Sequence, residues 1–202
     1  MRTRIKICGL SSLDHALFAE TLGVDAIGLV FVPESPRYLS LDAAAAIASA
    51  TGPFMQTVGL FANASEDKVI EALAKVELDI LQFHGDEKVD YCESFGLPYI
   101  KAVRVRNAED IIAADRQYTN ASALLLDSYS EKALGGTGEI FDWSLIPQID
   151  RPLILAGGLT VENVGESIKS ATPYAVDVSS GVESTPGAKD PAKMRAFVEQ
   201  VR

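Results

Sequence analysis

The stretch Leu-Ile-Leu-Ala-Gly-Gly-Leu-Thr at residues 153–160 decides the fold, because a short apolar run leads there into a glycine-rich turn. The stretch Ala-Val-Asp-Val-Ser-Ser-Gly-Val at residues 175–182 repeats this design. Between the two, residues 161–168 carry apolar side chains at helical spacing. A strand, a helix and a second strand in this order are typical of a parallel sheet whose strands are buried on both faces.

The same alternation extends back to the start of the chain. Eight apolar runs are predicted to be strands: residues 5–7, 26–31, 57–61, 80–83, 99–103, 123–127, 153–156 and 175–178. Their ends lie roughly 20 to 30 residues apart, so each interval holds one helix and two short loops. We therefore predict one α/β domain over residues 1–202, a single-domain (β/α)8 TIM barrel near the lower size limit of that fold.

The structural alternative is an open, doubly wound sheet. Such a sheet usually has fewer strands and carries the turn G-x-G-x-x-G after the first one. Here the first turn is Cys8-Gly9-Leu10-Ser11-Ser12, which lacks that spacing, and the glycine-rich turns follow the last two strands instead. The sequence therefore favours the barrel.

Capping residues predict where the helices begin. In chain order they are Ser11 or Ser12, Asp42, Ser65, Thr160 and Asp190 followed by Pro191. The helix that follows Thr160 is predicted to start directly after the turn at residues 156–160.

Composition limits the classes of partner. The net charge of −10 argues against a nucleic acid or an acidic membrane, since both require a basic face. A phosphorylated small molecule is not excluded, because backbone N–H groups hold phosphate without adding side-chain charge. No apolar run is long enough to cross a bilayer, and the first residues lack the apolar segment of a signal peptide. Two cysteines do not suggest a disulfide framework. We expect a cytoplasmic protein.

Cys8 and Asp127 are the candidate catalytic residues. A lone cysteine is most often a packing residue, and a lone aspartate after a strand is as often an N-cap or a salt-bridge partner. However, the two residues end the first and sixth predicted strands, which face each other across the mouth of a barrel. A base and an acid on opposite walls are what a proton-shuttling isomerase requires.

The turns after the last two strands predict a phosphate site. Gly157 and Gly158 follow the seventh strand, and Ser180 and Gly181 follow the eighth. Glycines allow a phosphate to approach backbone N–H groups, and barrels recurrently bind phosphate at these two turns. The alternative is that the glycines serve tight turns alone.

Arg37 and His84 are weaker candidates at the same end of the barrel. Arg37 follows the second strand and is placed to hold a substrate carboxylate through two hydrogen bonds, although most loop arginines are solvated. His84 ends the fourth strand, where it either orients substrate or satisfies a backbone carbonyl. His15 falls within the first helix and is interpreted as structural. Two histidines at unrelated places and no C-x-x-C motif predict no metal site.

Taken together, these motifs resemble phosphoribosylanthranilate isomerase of tryptophan biosynthesis. The resemblance covers the chain from residue 4 to the last helix, in the family's order. Its carriers are Lys6-Ile7-Cys8-Gly9-Leu10, Ser35-Pro36-Arg37-Tyr38, Gln82-Phe83-His84-Gly85-Asp86, Leu125-Leu126-Asp127-Ser128, Gly135-Gly136-Thr137-Gly138, Phe141-Asp142-Trp143, Ala156-Gly157-Gly158-Leu159, Asp177-Val178-Ser179-Ser180-Gly181-Val182-Glu183 and Pro186-Gly187-Ala188-Lys189-Asp190. Ala156 stands where the family pattern also has serine.

The resemblance implies an Amadori rearrangement of N-(5-phosphoribosyl)anthranilate to the 1-deoxyribulose aminoketose, without a cofactor. It implies that Asp127 protonates the ring oxygen, that Cys8 removes the C2 proton as a thiolate, and that Arg37 holds the anthranilate carboxylate. The resemblance also implies that the two glycine-rich turns bind the phosphate and that residues 135–138 close over the site. Asp177 matches the family motif without an assigned role, as a possible substrate-orienting residue beside His84. A phosphorylated small molecule is the implied partner of a monomer or homodimer.

Two other functions stay open. The aminoaldose isomerase of histidine biosynthesis carries out the same rearrangement on a substrate with two phosphates. It would show a pair of aspartates and a half-barrel repeat, whereas Cys8 occupies the first position here and no matching halves are found. Dual specificity is a variant of this alternative. A non-catalytic phosphate-binding barrel would keep the turns but would be free to lose Cys8, Asp127 or Arg37.

Overall fold

Eight parallel strands close into a barrel within residues 2–128, 143 and 146–202, the part of the chain that the computed structural model describes. The strands are β1 Arg4–Cys8, β2 Ala26–Val30, β3 Gln56–Phe61, β4 Ile80–Phe83, β5 Tyr99–Val105, β6 Ala123–Ser128, β7 Leu153–Leu155 and β8 Ala175–Val178. Neighbours along the chain pair in order, and β8 returns to pair with β1, which places Lys6 beside Asp177. The predicted barrel is confirmed, and each predicted strand lies within two residues of an observed one.

Helices alternate with the strands around the outside of the barrel. They are α1 Leu13–Thr21, α2 Leu41–Ala50, α3 Glu66–Lys75, α4 Val89–Glu93, α5 Ala108–Gln117, α6 Val164–Ala171 and α7 Pro191–Val201. After β8 the chain also forms a short 3-10 helix, Ser180–Val182, and an antiparallel hairpin of β9 Glu183–Thr185 and β10 Ala188–Lys189. None of the helices in this part of the chain is long and apolar enough to cross a membrane.

Two predicted helix starts are wrong. The side chain of Ser40, not Asp42, accepts the hydrogen bond from the N–H of Ala43 and caps α2, while Asp42 lies in the first turn. There its negative charge complements the helix dipole. Helix α6 begins at Val164 rather than at residue 161, because the side chain of Asn163 accepts a hydrogen bond from Thr160 N at 2.8 Å and holds a separate turn before the helix.

Alternation along the strands decides which side chains enter the barrel. In β6 the side chain of Leu125 belongs to the core inside the barrel, and those of Leu124 and Leu126 pack outside against the helices. Since successive side chains of a strand point to opposite faces, Asp127 shares the inward direction of Leu125. The same argument turns Lys6 and Cys8 inward, because Ile5 and Ile7 belong to the outer core.

Parts of the predicted motifs lie outside the described residues. These are the stretch 135–138, predicted to close over the site, and residues 141–142 of the motif that ends at Trp143.

Candidate active site

A cavity opens at the carboxyl ends of the strands. The predicted site residues that line it are Cys8, Arg37, His84, Asp127, Gly157, Gly158, Asp177 and Ser180. Gly181 belongs to the same turn as Ser180 but does not line the cavity. The fold therefore gathers side chains from β1, β6 and β8, and from the loops after β2, β4 and β7, at one place.

The wall formed by β1 and β8 carries the thiol, and we call Lys6, Cys8 and Asp177 the base wall. Lys6 Nζ lies 2.9 Å from Asp177 Oδ1, and both side chains are buried. Burial raises the pKa of the Cys8 thiol, with the Lys6 ammonium opposing and the Asp177 carboxylate reinforcing that change. Although burial disfavours its charge, Lys6 keeps a raised pKa because of Asp177 and Cys8. A buried cation is thus held beside the sulfur.

The opposite wall carries the carboxyl group, and we call Gln82, His84 and Asp127 the acid wall. His84 Nε2 lies 3.0 Å from Asp127 Oδ2, and Gln82 Nε2 lies 3.0 Å from His84 Nδ1. Gln82 points into the barrel because Leu81 and Phe83 on either side belong to the outer core. His84 therefore contacts the candidate acid directly, which the sequence did not reveal.

The guanidinium of Arg37 is fixed by Glu183, a residue to which the sequence analysis assigned no role. Its Nε and Nη2 atoms donate to the two carboxylate oxygens of Glu183 at 2.7 and 2.8 Å. Glu183 also accepts from Lys189 Nζ at 2.7 Å, and these bonds lower the pKa of Glu183 although burial opposes its ionisation. For Arg37 Nη1 no acceptor is present in the described ranges, so this edge of the guanidinium faces the cavity with donors available.

The two glycine-rich turns pack against each other. A Cβ atom on Gly181 would collide with the backbone carbonyl oxygen of Leu159, so the close approach requires a glycine. The backbone N–H groups of Gly157, Gly158, Ser180 and Gly181 donate to no acceptor within residues 2–128, 143 and 146–202. The residues of three of these donors, Gly157, Gly158 and Ser180, line the cavity, and such donors suit an anion.

The hairpin after β8 connects the subsites. Lys189 Nζ donates to Ser179 O at 3.0 Å as well as to Glu183, and Ser179 Oγ donates to Cys8 O at 3.0 Å. The guanidinium of Arg37, the turn at residues 179–181 and the end of β1 are therefore fixed to one another. No three His, Cys, Asp or Glu side chains in the described part of the chain are grouped in a way that would hold a metal ion.

Four neighbours of the site residues stand in the quoted motifs, but the sequence analysis assigned them no role: Lys6, Gln82, Glu183 and Lys189. Lys6 and Gln82 each stand two positions before a predicted site residue on the same strand face, and this spacing is a usable signal. Glu183 and Lys189 gave no local signal, because their role depends on a hairpin that the apolar pattern does not show.

Comparisons with known proteins identify the family of this chain. The family model described as N-(5'phosphoribosyl)anthranilate (PRA) isomerase matches residues 5–200. A relative from Pseudomonas fluorescens strain SBW25, named N-(5'-phosphoribosyl)anthranilate isomerase, is 55% identical over 200 residues, which cover 98% of this chain and 95% of the relative. A relative of the same name from Azotobacter vinelandii is 54% identical over 98% of this chain and 97% of its own length.

Solved structures extend the comparison to three dimensions. Phosphoribosyl anthranilate isomerase from Thermotoga maritima superposes with a TM-score of 0.89 at 38% identity, covering 98% of both chains. Another, in complex with reduced 1-(o-carboxyphenylamino)-1-deoxyribulose 5-phosphate, gives a TM-score of 0.86 at 38% identity, again over 98% of both chains. By sequence, fold and the match of nearly its whole length, this chain belongs to the N-(5'-phosphoribosyl)anthranilate isomerase family.

Proposed function

We propose that this chain isomerises N-(5'-phosphoribosyl)anthranilate to 1-(2-carboxyphenylamino)-1-deoxyribulose 5-phosphate in tryptophan biosynthesis, with Asp127 as general acid and Cys8 as general base. The observation that carries the proposal is that a thiol and a carboxyl group from opposite walls line one cavity, between a guanidinium and a cluster of backbone N–H groups. A relative's structure holds a reduced form of the same aminoketose phosphate.

The substrate's two anionic ends match the two ends of the cavity. The free edge of Arg37 receives the anthranilate carboxylate, and Glu183 fixes the orientation of the guanidinium. The N–H groups of Gly157, Gly158, Ser180 and Gly181 receive the phosphate. Binding at both ends places the sugar between Cys8 and Asp127, so positioning supplies part of the rate.

Asp127 acts first. It transfers its proton to the furanose ring oxygen, the bond between that oxygen and C1 breaks, and the nitrogen lone pair forms a protonated Schiff base at C1. The electrons of the broken bond stay on the protonated ring oxygen as a lone pair, and this oxygen becomes the hydroxyl group on C4. Asp127 is left as a carboxylate that still accepts a hydrogen bond from His84 Nε2.

Cys8 acts second. The iminium at C1 acidifies the C2–H bond, and the thiolate of Cys8 takes that proton while the C–H electrons neutralise the nitrogen and form an enolamine. The enolamine then takes up a proton at C1 and gives up the hydroxyl proton at C2, which yields the ketone. Burial raises the pKa of the Cys8 thiol. The nearby Lys6 ammonium opposes this change and favours the thiolate.

We propose no cofactor for this sequence of steps, since the iminium is itself the electron sink. Asp177 orients Lys6 rather than the substrate, because its carboxylate is paired with the Lys6 ammonium. We further propose a phosphorylated small molecule as the partner, no nucleic acid or membrane, a monomer or homodimer, and the cytoplasm as the compartment. Both cysteines carry free thiols, which suits a reducing compartment.

A fluorescence assay that follows the loss of phosphoribosylanthranilate tests the function. The wild-type protein should turn over this substrate and should leave the histidine-pathway aminoaldose, run beside it, unchanged. The double variant Cys8→Ala/Asp127→Asn serves as the blank, since it retains the binding groups without the acid and base. Equal turnover by the wild type and the blank, or preference for the histidine-pathway substrate, would contradict the proposal.

A further inference from the structure

A chain of hydrogen bonds leads from Gln82 through His84 to the candidate acid Asp127. Gln82 is fully buried, and its Nε2 atom lies 3.0 Å from His84 Nδ1. On the far side of the ring, Nε2 lies 3.0 Å from Asp127 Oδ2. The ring thus bridges an uncharged amide and the carboxyl group that gives up its proton.

The amide decides which ring nitrogen carries hydrogen. An amide nitrogen can only donate, so His84 Nδ1 accepts, and the proton of a neutral ring must sit on Nε2. With the amide turned over, its NH2 group would occupy the position of Gln82 Oε1, a buried atom without a hydrogen-bond partner among the described residues. Leaving two buried N–H donors unpaired costs more than leaving one carbonyl oxygen unpaired.

We propose that Gln82 and His84 are positioning residues for the isomerase reaction. Gln82 holds His84 as the neutral Nε2–H tautomer, and His84 holds Oδ2 of Asp127. This leaves Oδ1 as the oxygen that exchanges the proton with substrate. This inference rests on the proposed function of Asp127.

Space around Asp127 agrees with this division between the two oxygens. A Cβ atom on Gly157 would lie 2.7 Å from Asp127 Oδ1 and 2.5 Å from Ser128 Oγ, so Oδ1 lies close to the turn after β7, and a glycine is needed for that approach. Oδ2 is occupied by the ring of His84. Oδ1 is therefore the oxygen that His84 leaves without a hydrogen bond.

The backbone that carries His84 is fixed from outside the barrel. Lys101 Nζ donates to the carbonyl oxygens of Phe83 at 3.2 Å and Gly85 at 2.6 Å, the residues on either side of His84. Glu87 pairs with Lys101 at 3.1 Å and accepts from Gly85 N. A ring on so fixed a backbone keeps one position, which a proton-transfer group requires.

A neutral ring suits a general acid better than a charged one. An imidazolium beside a carboxylate favours the ionised carboxylate, which has no proton to give. The charged groups around the ring are Asp127 on β6, Asp177 on β8, and Lys101 with Glu87 behind the loop after β4. The donor on Gln82 leaves Nδ1 no position for a second proton.

Nitrogen NMR of the intact protein labelled with ¹⁵N-histidine tests the tautomer directly. The chain has two histidines, His15 and His84, so the spectrum of His84→Gln assigns both. We expect His84 to show one protonated nitrogen, Nε2, at pH 7. Two protonated nitrogens, or a proton on Nδ1, would overturn the proposal without bearing on whether Asp127 is the acid.

Kinetics test the consequence. Gln82→Glu places an acceptor against Nδ1, and kcat should fall about 10- to 100-fold with KM nearly unchanged, while the limb of the pH profile that loses activity toward high pH moves to lower pH. His84→Gln keeps a donor near Asp127 and should retain more activity than His84→Leu. A wild-type pH profile for Gln82→Glu, or equal losses for the two His84 variants, would overturn the positioning roles. Inactivity of the wild type itself would instead overturn the proposed function.

Discussion

The acid wall and the base wall of the cavity are built differently. On the acid wall, hydrogen bonds of 3.0 Å connect Gln82, His84 and Asp127, and we propose that the ring between them is neutral. On the base wall, a buried ion pair of 2.9 Å lies beside Cys8. The difference matches the two tasks: a group that must hold a proton needs uncharged neighbours, and a group that must become an anion needs a cation nearby.

The largest effect should come from removing either proton-transfer group. Asp127→Asn and Cys8→Ser should each lower kcat/KM by about 10²- to 10⁴-fold, because each removes one general acid–base step. Steady-state kinetics with phosphoribosylanthranilate measure the loss, and circular dichroism checks the fold.

Two matched controls separate catalysis from packing. Cys92→Ser changes a buried thiol in α4, away from the cavity, whose pKa burial raises to about 12. Asp42→Asn changes an exposed carboxylate on α2. Both should keep wild-type rates. A loss in the controls as large as in the site variants would contradict the assigned roles.

The next effect concerns the ion pair of the base wall. Lys6→Met leaves the buried Asp177 carboxylate without its cation, and the free energy of unfolding should fall by about 3–5 kcal/mol. Lys75→Met breaks the exposed pair with Asp42 and should cost less than about 1 kcal/mol. Urea unfolding compares the two.

The double variant Lys6→Met/Asp177→Asn sharpens this comparison. It removes both charges and should recover most of the stability, yet its kcat/KM should stay low because the thiolate has lost its cation. Recovery of stability and rate together would show that the ion pair is purely structural.

Substitutions of Arg37 test the end of the cavity that is proposed to bind the substrate carboxylate. Arg37→Ala should weaken binding of the aminoketose product about 10- to 100-fold, since a charged pair of hydrogen bonds contributes roughly 1.5–3 kcal/mol. Arg37→Lys should also bind weakly, because an ammonium lacks the planar fork. Product titration by fluorescence gives both affinities, and unchanged affinity in Arg37→Ala would remove the carboxylate assignment.

The smallest expected effect is a pH dependence on the base wall. The base must lose its proton, and burial raises the pKa of Cys8, so the thiolate fraction, followed as the rate of Cys8 alkylation by iodoacetamide, should rise by about tenfold between pH 7 and pH 8. The rise should move to higher pH in Lys6→Met. A plateau already reached below pH 7 would contradict the direction of the shift.

The sequence predicted most of this arrangement because alternation along a strand is a strong constraint. Apolar neighbours on each side turn Cys8 and Asp127 inward, and their positions at strand ends put them at the mouth. The same rule would have found Lys6 and Gln82. The start of α6 was missed because Asn163, within a turn, supplies the hydrogen bond that delays it.

The support behind Arg37 could not be predicted. The bond between Arg37 and Glu183 joins residues 146 positions apart, and it depends on the hairpin after β8, whose short polar strands lack an apolar pattern. The contact between His84 and Asp127 likewise joins the end of β4 to β6, 43 positions apart. Contacts of this kind follow from closure of the barrel rather than from local sequence.

A deuterium isotope effect with substrate labelled at C2 tests the division of labour between the walls most directly. With Cys8→Ser, removal of the C2 proton becomes the slow step, so the isotope effect on kcat/KM should exceed that of the wild type. With Asp127→Asn, ring opening becomes the slow step, and the effect should approach unity. Isotope effects that are equal in the two variants, or that change in the opposite directions, would contradict the assignment of acid and base.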